Sequence, residues 1–382
     1  MRASAGLDAA FEELGRGVRE GDVPGAVAAV GTRDGTLRRS HFGYAQLTPV
    51  RRELGEDALF DLASLTKVVC TATLALRLLE RGTISLGQRI ASALPDFGAG
   101  GKEGVTVRHI LTHTSGLNSG LPEVHAVRRR MLSADGAAEV AELVGTRLPV
   151  LDLVCALPLA RPVGSAVFYS DSAYFALGAF LAAAGGAPLE QLARREVFEP
   201  LGMRDTRFVP DPSERGRAAA TEVVPGRAGA LVGQVHDEMA ALSGGVAGHA
   251  GLFSTCADLE RFCRVWLGGG TLDGVGLLSA ATVDAATRDQ TGGATSPEGL
   301  PAHRGLGWSV PPNPRWHGGD ACSPRSYGHT GFTGTSLLLD PERGVYAVLL
   351  TNRVHPTREG GSAERLSELR RRFHNAVWRA LA

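Results

Sequence analysis

Ser64 and Lys67 stand three residues apart in the stretch SLTK, and residues i and i+3 share one face of a helix. A serine hydroxyl is a weak nucleophile that needs a neighbouring base. Lysine ordinarily titrates near ~10.4, so it serves as that base only where burial or a second cation lowers the value. Two other places carry residues of matching chemistry. Tyr169 lies in VFYSDSAYFALG, a turn of small residues entering a helix, with Asp171 two positions on. A tyrosine beside Lys67 could share or relay the serine's proton, since both groups titrate near pH ~10 and adjust together. His329 lies in GHTG, which opens an expected strand, and the glycines on either side let a substrate lie against the backbone. Each residue also has an ordinary reading: a snorkelling lysine, a core tyrosine with its hydroxyl satisfied, a structural histidine.

The elements that must position these residues are legible in outline. FDLASLTKVVCTATLALRLLERGTISL, from Phe60 to Leu86, reads as one amphipathic helix, with Asp61 as its N-cap and Ser64 in the first turn. Asp8 to Glu20 reads as a short helix. PGAVAAVGTRDGTLRRSHFGYA reads as two strands joined at Asp34-Gly35. From about Ser85 to Pro200 the pattern is mostly helical. Near the end, YGHTGFTGTSLLLDPERGVYAVLLTNR gives two strands around a turn with Pro341 and Gly344, and Ala363 to Ala382 closes the chain as a helix. The simplest architecture is α/β (α+β): one antiparallel sheet built from both chain ends, flanked by helices, with a mostly helical lobe inserted. The whole chain, 1–382, is then one domain with an α/β lobe at about 1–60 and 205–382 and a helical lobe at about 61–204. A cleft is expected where lobe meets sheet. Thr291 to Arg304 and Pro311 to Ser326 read as loops, the second placed to overhang that cleft.

Taken together, in this order and spacing, the three motifs resemble those of the serine β-lactamase and penicillin-binding-protein-like family, on its class C and DD-peptidase side. Ser64 to Lys67 matches the first motif, Tyr169 to Asp171 the second and His329 to Gly331 the third. ILTHTSGL, EPLGMRDTRF, GHAGLFSTCADLERF, GLGWSV and LLTNR match as well, so the resemblance runs from about Leu7 to Asn352. It implies that Ser64 attacks a carbonyl to form an acyl-enzyme, with Lys67 and Tyr169 as general base and then acid. It further implies that the backbone N–H groups of Ser64 and Phe332 form an oxyanion hole, and that His329, Thr330 and Gly331 line the substrate. Asp171 would position Lys67 or a substrate amide. Two departures matter. Where the family usually has Asn, Asp171 only accepts hydrogen bonds when ionised. Where penicillin-destroying members usually have Lys, His329 is mostly neutral at pH 7.

Composition narrows the function from outside. The chain has 382 residues, 43% of them hydrophobic, enough for a large core. Lys+Arg and Asp+Glu balance at 40 each, which removes the charge footprint of a nucleic-acid binder. The one basic run, Arg128 to Arg130, reads as a solvated helix face. Five scattered cysteines without a C-x-x-C read as small buried residues in a reducing compartment. No stretch approaches a membrane span and the first turns carry charges, so a soluble cytoplasmic enzyme is expected. G-x-S-x-G, H-E-x-x-H and glycine-rich phosphate loops are absent. His109 and His113 lie four apart without an evident third ligand, so no metal or other cofactor is expected.

The expectation is therefore a serine hydrolase acting through an acyl-enzyme on a small-molecule ester, amide or peptide. An acyltransferase or a cyclase releasing a natural product differs only in what accepts the acyl group. A DD-carboxypeptidase, a D-aminopeptidase and a weak class C β-lactamase stay open, as does a non-catalytic sensor that kept the fold. GQVHDEMAALSGGVAGHAGLF, with His236, Asp237 and His249, reads either as a cleft-side loop tuning specificity or as a structural turn.

Overall fold

A computed structural model describes residues 2–133, 148–224, 229–313 and 316–381. Its centre is a six-stranded antiparallel sheet built from the two ends of the chain. From the first come β1 (Gly25–Thr32), β2 (Gly35–Gln46) and β3 (Arg52–Glu53); from the last come β4 (Tyr327–Thr330), β5 (Ser336–Asp340) and β6 (Val345–Thr351). The order across the sheet is β3-β2-β1-β6-β5-β4, so the two ends meet where β1 pairs with β6, Val27 opposite Leu350. A hairpin joins β1 to β2 as expected, but its two-residue loop is Arg33-Asp34, and Gly35 already pairs with Thr32 as the first residue of β2. β4, which carries the third motif, is an edge strand. GHTG closes that strand rather than opening one: Tyr327 begins it and Thr330 ends it.

Strand alternation sends side chains into two cores. Ala26, Ala28, Val30, Leu338, Ala347 and Leu349 pack against α1 (Arg2–Glu20) and, as the chain's last helix, α5 (Ser362–Ala380), through Leu7, Phe11, Leu14, Leu366, Phe373 and Trp378. Val27, Ala29, Leu337, Leu339, Val348 and Leu350 face the other way, into a larger core shared with the intervening helices. That core includes α2 (Thr73–Glu80), α3 (Asp171–Gly185) and α4 (Cys256–Leu267).

The segment expected as one helix from Phe60 winds in four ways. Phe60–Asp61 is a two-residue strand paired to Leu252–Ser254, which also pairs with Arg207–Phe208. Ala63–Leu65 is a 3₁₀ turn, Lys67–Ala72 is π-helical, and only Thr73–Glu80 is regular α-helix. Phe60 and Leu62 are apolar because the small sheet buries them, not because they lie on a helix face.

Cys70, Cys155, Cys256 and Cys263 are buried thiols, Cys322 is half-exposed, and none forms a disulfide. The basic run does not lie free in water at its first member: Arg128 pairs with Glu238 and lies 3.7 Å from Glu222. Among the described residues no single helix is long and apolar enough to cross a membrane.

Candidate active site

The turn into the first motif is built by Asp61. Its Oδ1 accepts from the N–H of Ala63 at 2.8 Å and its Oδ2 from the N–H of His236 at 2.7 Å. The cap is thus an Asx turn two residues long rather than a standard helix N-cap. Burial pushes the Asp61 pKa up, against those two hydrogen bonds. Ala63 sits at φ 46°, a left-handed conformation that costs a side chain with a Cβ energy and recurs at functional sites. The strained residue immediately precedes Ser64.

A second loop is fastened to this turn. The hydroxyl of Thr333 donates to the Asp61 carbonyl at 2.6 Å, and that of Thr335 to the Leu62 carbonyl at 2.9 Å. Between β4 and β5 the backbone presses so closely on Leu62 that a Cβ on Gly331 would lie 2.3 Å from its carbonyl oxygen and 2.2 Å from Thr335 Oγ1. Only glycine permits that approach. The loop carries Phe332, half exposed, so the backbone of Phe332 and the backbone of Ser64 are held as one unit.

Lys67 is fully buried and satisfies all three donors of its ammonium. Nζ lies 3.0 Å from Ser64 Oγ, 2.6 Å from Asp171 Oδ1 and 3.2 Å from the His249 carbonyl. The Tyr169 ring packs beside it, with Nζ 4.8 Å from the ring centre. The sequence alone asked for a lowered lysine pKa, and the site does the opposite. Burial pulls the value down, but the charge and hydrogen bond of Asp171, with Tyr169 adding to them, outweigh it and hold Lys67 above its ordinary range. In the resting site Lys67 is an ammonium.

Asp171 begins α3 and is itself oriented. Ser119 donates to its Oδ2 at 2.8 Å, while the Asp171 N–H donates back to Ser119 Oγ at 3.1 Å. Ser170 caps the helix by accepting from Ala173 N–H. Tyr169 stacks on His113 with ring centres 4.4 Å apart. His113 is therefore packed against the site's tyrosine, and its Nδ1 accepts from the Ser170 N–H at 3.2 Å.

His329 is buried, and burial holds its pKa well below the ordinary value, with Arg304 and Lys67 adding charge repulsion. Its Nδ1 is 2.9 Å from the Thr330 carbonyl, which can only accept, so Nδ1 carries the hydrogen. Nε2 therefore presents a bare lone pair, buried and without a partner. The third motif offers an acceptor to the cleft, not a cation.

These parts line one cavity of about 690 Å³ that takes in Ser64, Ser119, Tyr169, Asp171, His236, Asp237, Arg304, His329, Thr330, Gly331 and Phe332. Every residue expected at the site lines it except Lys67, which lies just beneath Ser64. The ambiguous histidine loop lies beside the cleft and also makes structural contacts. His236 stacks on Phe332 at 5.8 Å, while Asp237 pairs with His249 at 2.8 Å, fixing the segment whose carbonyl receives Lys67. The overhanging loop contributes Trp316, His317 and Gly318. Residues 314 and 315 of the Pro311 to Ser326 segment lie outside the described residues. Ser119, His113 and Arg304 were not singled out as site residues, and only ILTHTSGL, just before Ser119, carried a signal.

A seryl hydroxyl paired to a buried lysine lies in a cleft between a helical cluster and an antiparallel sheet, and the class is that of the serine hydrolases of β-lactamase-like fold. The chain belongs to the Beta-lactamase family, whose model matches residues 7–370. It is 33% identical over 335 residues to a putative D-alanyl-D-alanine carboxypeptidase of Escherichia coli (strain K12), covering 80% of this chain and 71% of that one. It is 30% identical over 363 residues to an N-acetylmuramyl-L-alanine amidase of Bacillus subtilis (strain 168), covering 87% and 78%. Among solved structures, EstCE1, described as a hydrolase with promiscuous acyltransferase activity, superposes with a TM-score of 0.76 at 22% identity over 99% of this chain and 100% of that one. Unliganded simvastatin synthase (LovD) of Aspergillus terreus superposes at 0.69, with 22% identity and 98% of both chains covered. The two structural likenesses show the shared fold.

Proposed function

We propose that Ser64 is the nucleophile of an acyl-enzyme reaction on a small amide, peptide or carboxylic ester, with water taking up the acyl group. The observation that carries this reading is the 3.0 Å contact of Lys67 Nζ with Ser64 Oγ in a cleft that also presents Tyr169. Ser64 Oγ attacks the carbonyl carbon and its proton passes to the Lys67–Tyr169 pair. Because Asp171 holds Lys67 charged, the lysine must first give up a proton, so the active form is a deprotonated minority whose share grows with pH. The N–H groups of Ser64 and Phe332 receive the developing oxyanion, a contribution of about 10²–10³-fold per donor. The same pair then returns the proton to the leaving group, and water repeats the sequence to free the acid.

The names of the sequence relatives, a carboxypeptidase and an amidase, favour an amide or peptide over an ester. The bare Nε2 of His329 supports this, since it can accept an N–H from a leaving or flanking amide. Asp171 and Ser119 sit on the opposite wall as acceptor and hydroxyl. Thr330 and Gly331 give the substrate a backbone edge along β4.

The test is incubation with p-nitrophenyl acetate, a fluorescent penicillin and short peptides ending in D-alanine, with Ser64→Ala as control. The reading expects ester or peptide turnover and a covalent mass increase, both lost in Ser64→Ala. Release of the acyl group to added alcohols or amines in preference to water would move the reading to an acyltransferase.

A further inference from the structure

Beyond Phe332 the cleft continues past the site described above. Its lining includes residues from both faces of the sheet: His329 and Leu337 on one, Ser336, Leu338, Leu366 and Arg370 on the other. Ser309 bridges to Gly328 along the outer edge of β4, so the cavity passes the Thr330 end of that strand and ends against α5. Ser336 pairs in register with Thr330, so this arm begins at the substrate wall.

The charges here divide into two groups. Arg358 lies 5.4 Å over Phe332 but is neutralised by Glu222 at 2.6 Å and Glu238 at 2.8 Å. Arg353 and Arg370 have no such acid. Arg353 lies 4.5 Å over the Phe332 ring and donates Nη1 to Ser362 Oγ at 3.0 Å. Arg370 donates Nη2 to the Thr335 carbonyl at 2.6 Å. Both acceptors are neutral oxygens, and no carboxylate among the described residues lies within 4.0 Å of either guanidinium. Each arginine is 6% exposed. Arg370 Nε and the hydroxyl of Ser336 are buried and unpartnered. Burial and the neighbouring charge of Arg353 push Arg370 down to about 9, which still leaves it a cation at neutral pH. Glu364, at the start of α5, is the acid whose charge reaches Arg353, at longer range.

Two buried cations side by side are costly unless something pairs with them. Simple clipping of the β4–β5 loop to α5 needs one neutral donor, not two uncompensated charges. We propose that Arg353, Arg370 and Ser336 form an anion subsite that takes a carboxylate or similarly charged phosphate carried by the substrate. The proposal rests on the acyl-transfer reading above. It assigns to α5 the permanent positive charge that His329 does not supply at the end of β4.

The anion can sit on the acyl part or on the departing part of the substrate, and two ester pairs separate these. One pair is p-nitrophenyl butyrate and the p-nitrophenyl monoester of succinic acid. The other is phenyl acetate and 3-acetoxybenzoate. The expected result is a KM about tenfold lower for the charged member of one pair, a difference of roughly 1.4 kcal/mol. In Arg353→Gln and Arg370→Gln that preference shrinks by about fivefold or more, and Arg370→Lys retains part of it. Inorganic phosphate competes with the charged ester more strongly than with the neutral one. Equal KM within both pairs, or a preference undiminished in both glutamine variants, overturns the subsite. The wild-type comparison and phosphate competition need no variant to fold. Calorimetric titration of Ser64→Ala with succinate reads the subsite without an acyl-enzyme. Succinate binding that depends on Arg353 and Arg370, beside ester turnover that survives Ser64→Ala, would sink the nucleophile and keep the subsite. Acylation at Ser64 without anion binding would do the reverse.

Discussion

Lys67 Nζ and Asp171 Oδ1 are 2.6 Å apart, and this ion pair keeps the lysine beneath Ser64 charged. Where the family usually carries an amide, this chain carries a carboxylate, and the consequence is a proton inventory. A base that must first lose a proton gives a rate that rises with pH until it is deprotonated. Asp171→Asn removes the charge that raises Lys67, so the rising limb of kcat/KM moves to lower pH. A pH–rate profile of wild type and variant with a p-nitrophenyl ester checks this. An unmoved or alkaline-shifted limb contradicts it.

Tyr169→Phe keeps the ring that stacks on His113 and removes only the hydroxyl beside Lys67. The expected loss is about 10²–10⁴-fold in kcat with little change in melting temperature. Steady-state kinetics with a thermal melt on the same sample would show it. An unchanged kcat would remove Tyr169 from the proton path.

Gly331→Ala forces a Cβ against Leu62 and Thr335, both part of the fastening between the Phe332 loop and the Ser64 turn. The change destabilises the fold by about 1–3 kcal/mol. In the proposed mechanism it also lowers kcat more than it raises KM, because the Phe332 N–H would move away from the oxyanion. Denaturant titration and kinetics read the two effects separately, and a variant as stable and active as wild type would refute the fastening.

His374 supplies a stability test at a distance from Ser64. Burial first, and the charge of Arg370 after it, lower its pKa from 6.5 to about 4. Between those values the unfolded chain binds a proton that the folded chain does not, so stability rises with pH across that window and is complete above it. The interval corresponds to an effect on the order of 3 kcal/mol. His374→Asn can still donate to the His317 carbonyl and removes the titration, so its unfolding free energy should fall less between pH 6.5 and 4. Equal slopes for the two proteins would contradict the assignment.

The three motifs were legible because each is short, contiguous and placed at an element boundary that local sequence marks: Asp61 before Ser64, Ser170 before Asp171, the glycines around His329. The two-ended sheet was legible from the β-branched and leucine-rich runs at both termini. What the sequence could not show is non-local. Phe60 to Leu65 looks helical because its apolar residues fit a helix period, yet Phe60–Asp61 pairs with Leu252–Ser254, almost two hundred positions away. The partners of Asp171 and Lys67, Ser119 and the His249 carbonyl, come from loops with no spacing relationship to either. Lys67's charge state was equally hidden, since it depends on which carboxylate folds against it.

The most direct test is intact-protein mass spectrometry after mixing with p-nitrophenyl acetate or a D-alanyl peptide and quenching in acid, for wild type and Ser64→Ala. The account predicts an added acyl mass that maps to the peptide containing Ser64 and is absent from the variant, together with loss of turnover. An acyl adduct mapping elsewhere, or turnover undiminished in Ser64→Ala, would contradict it.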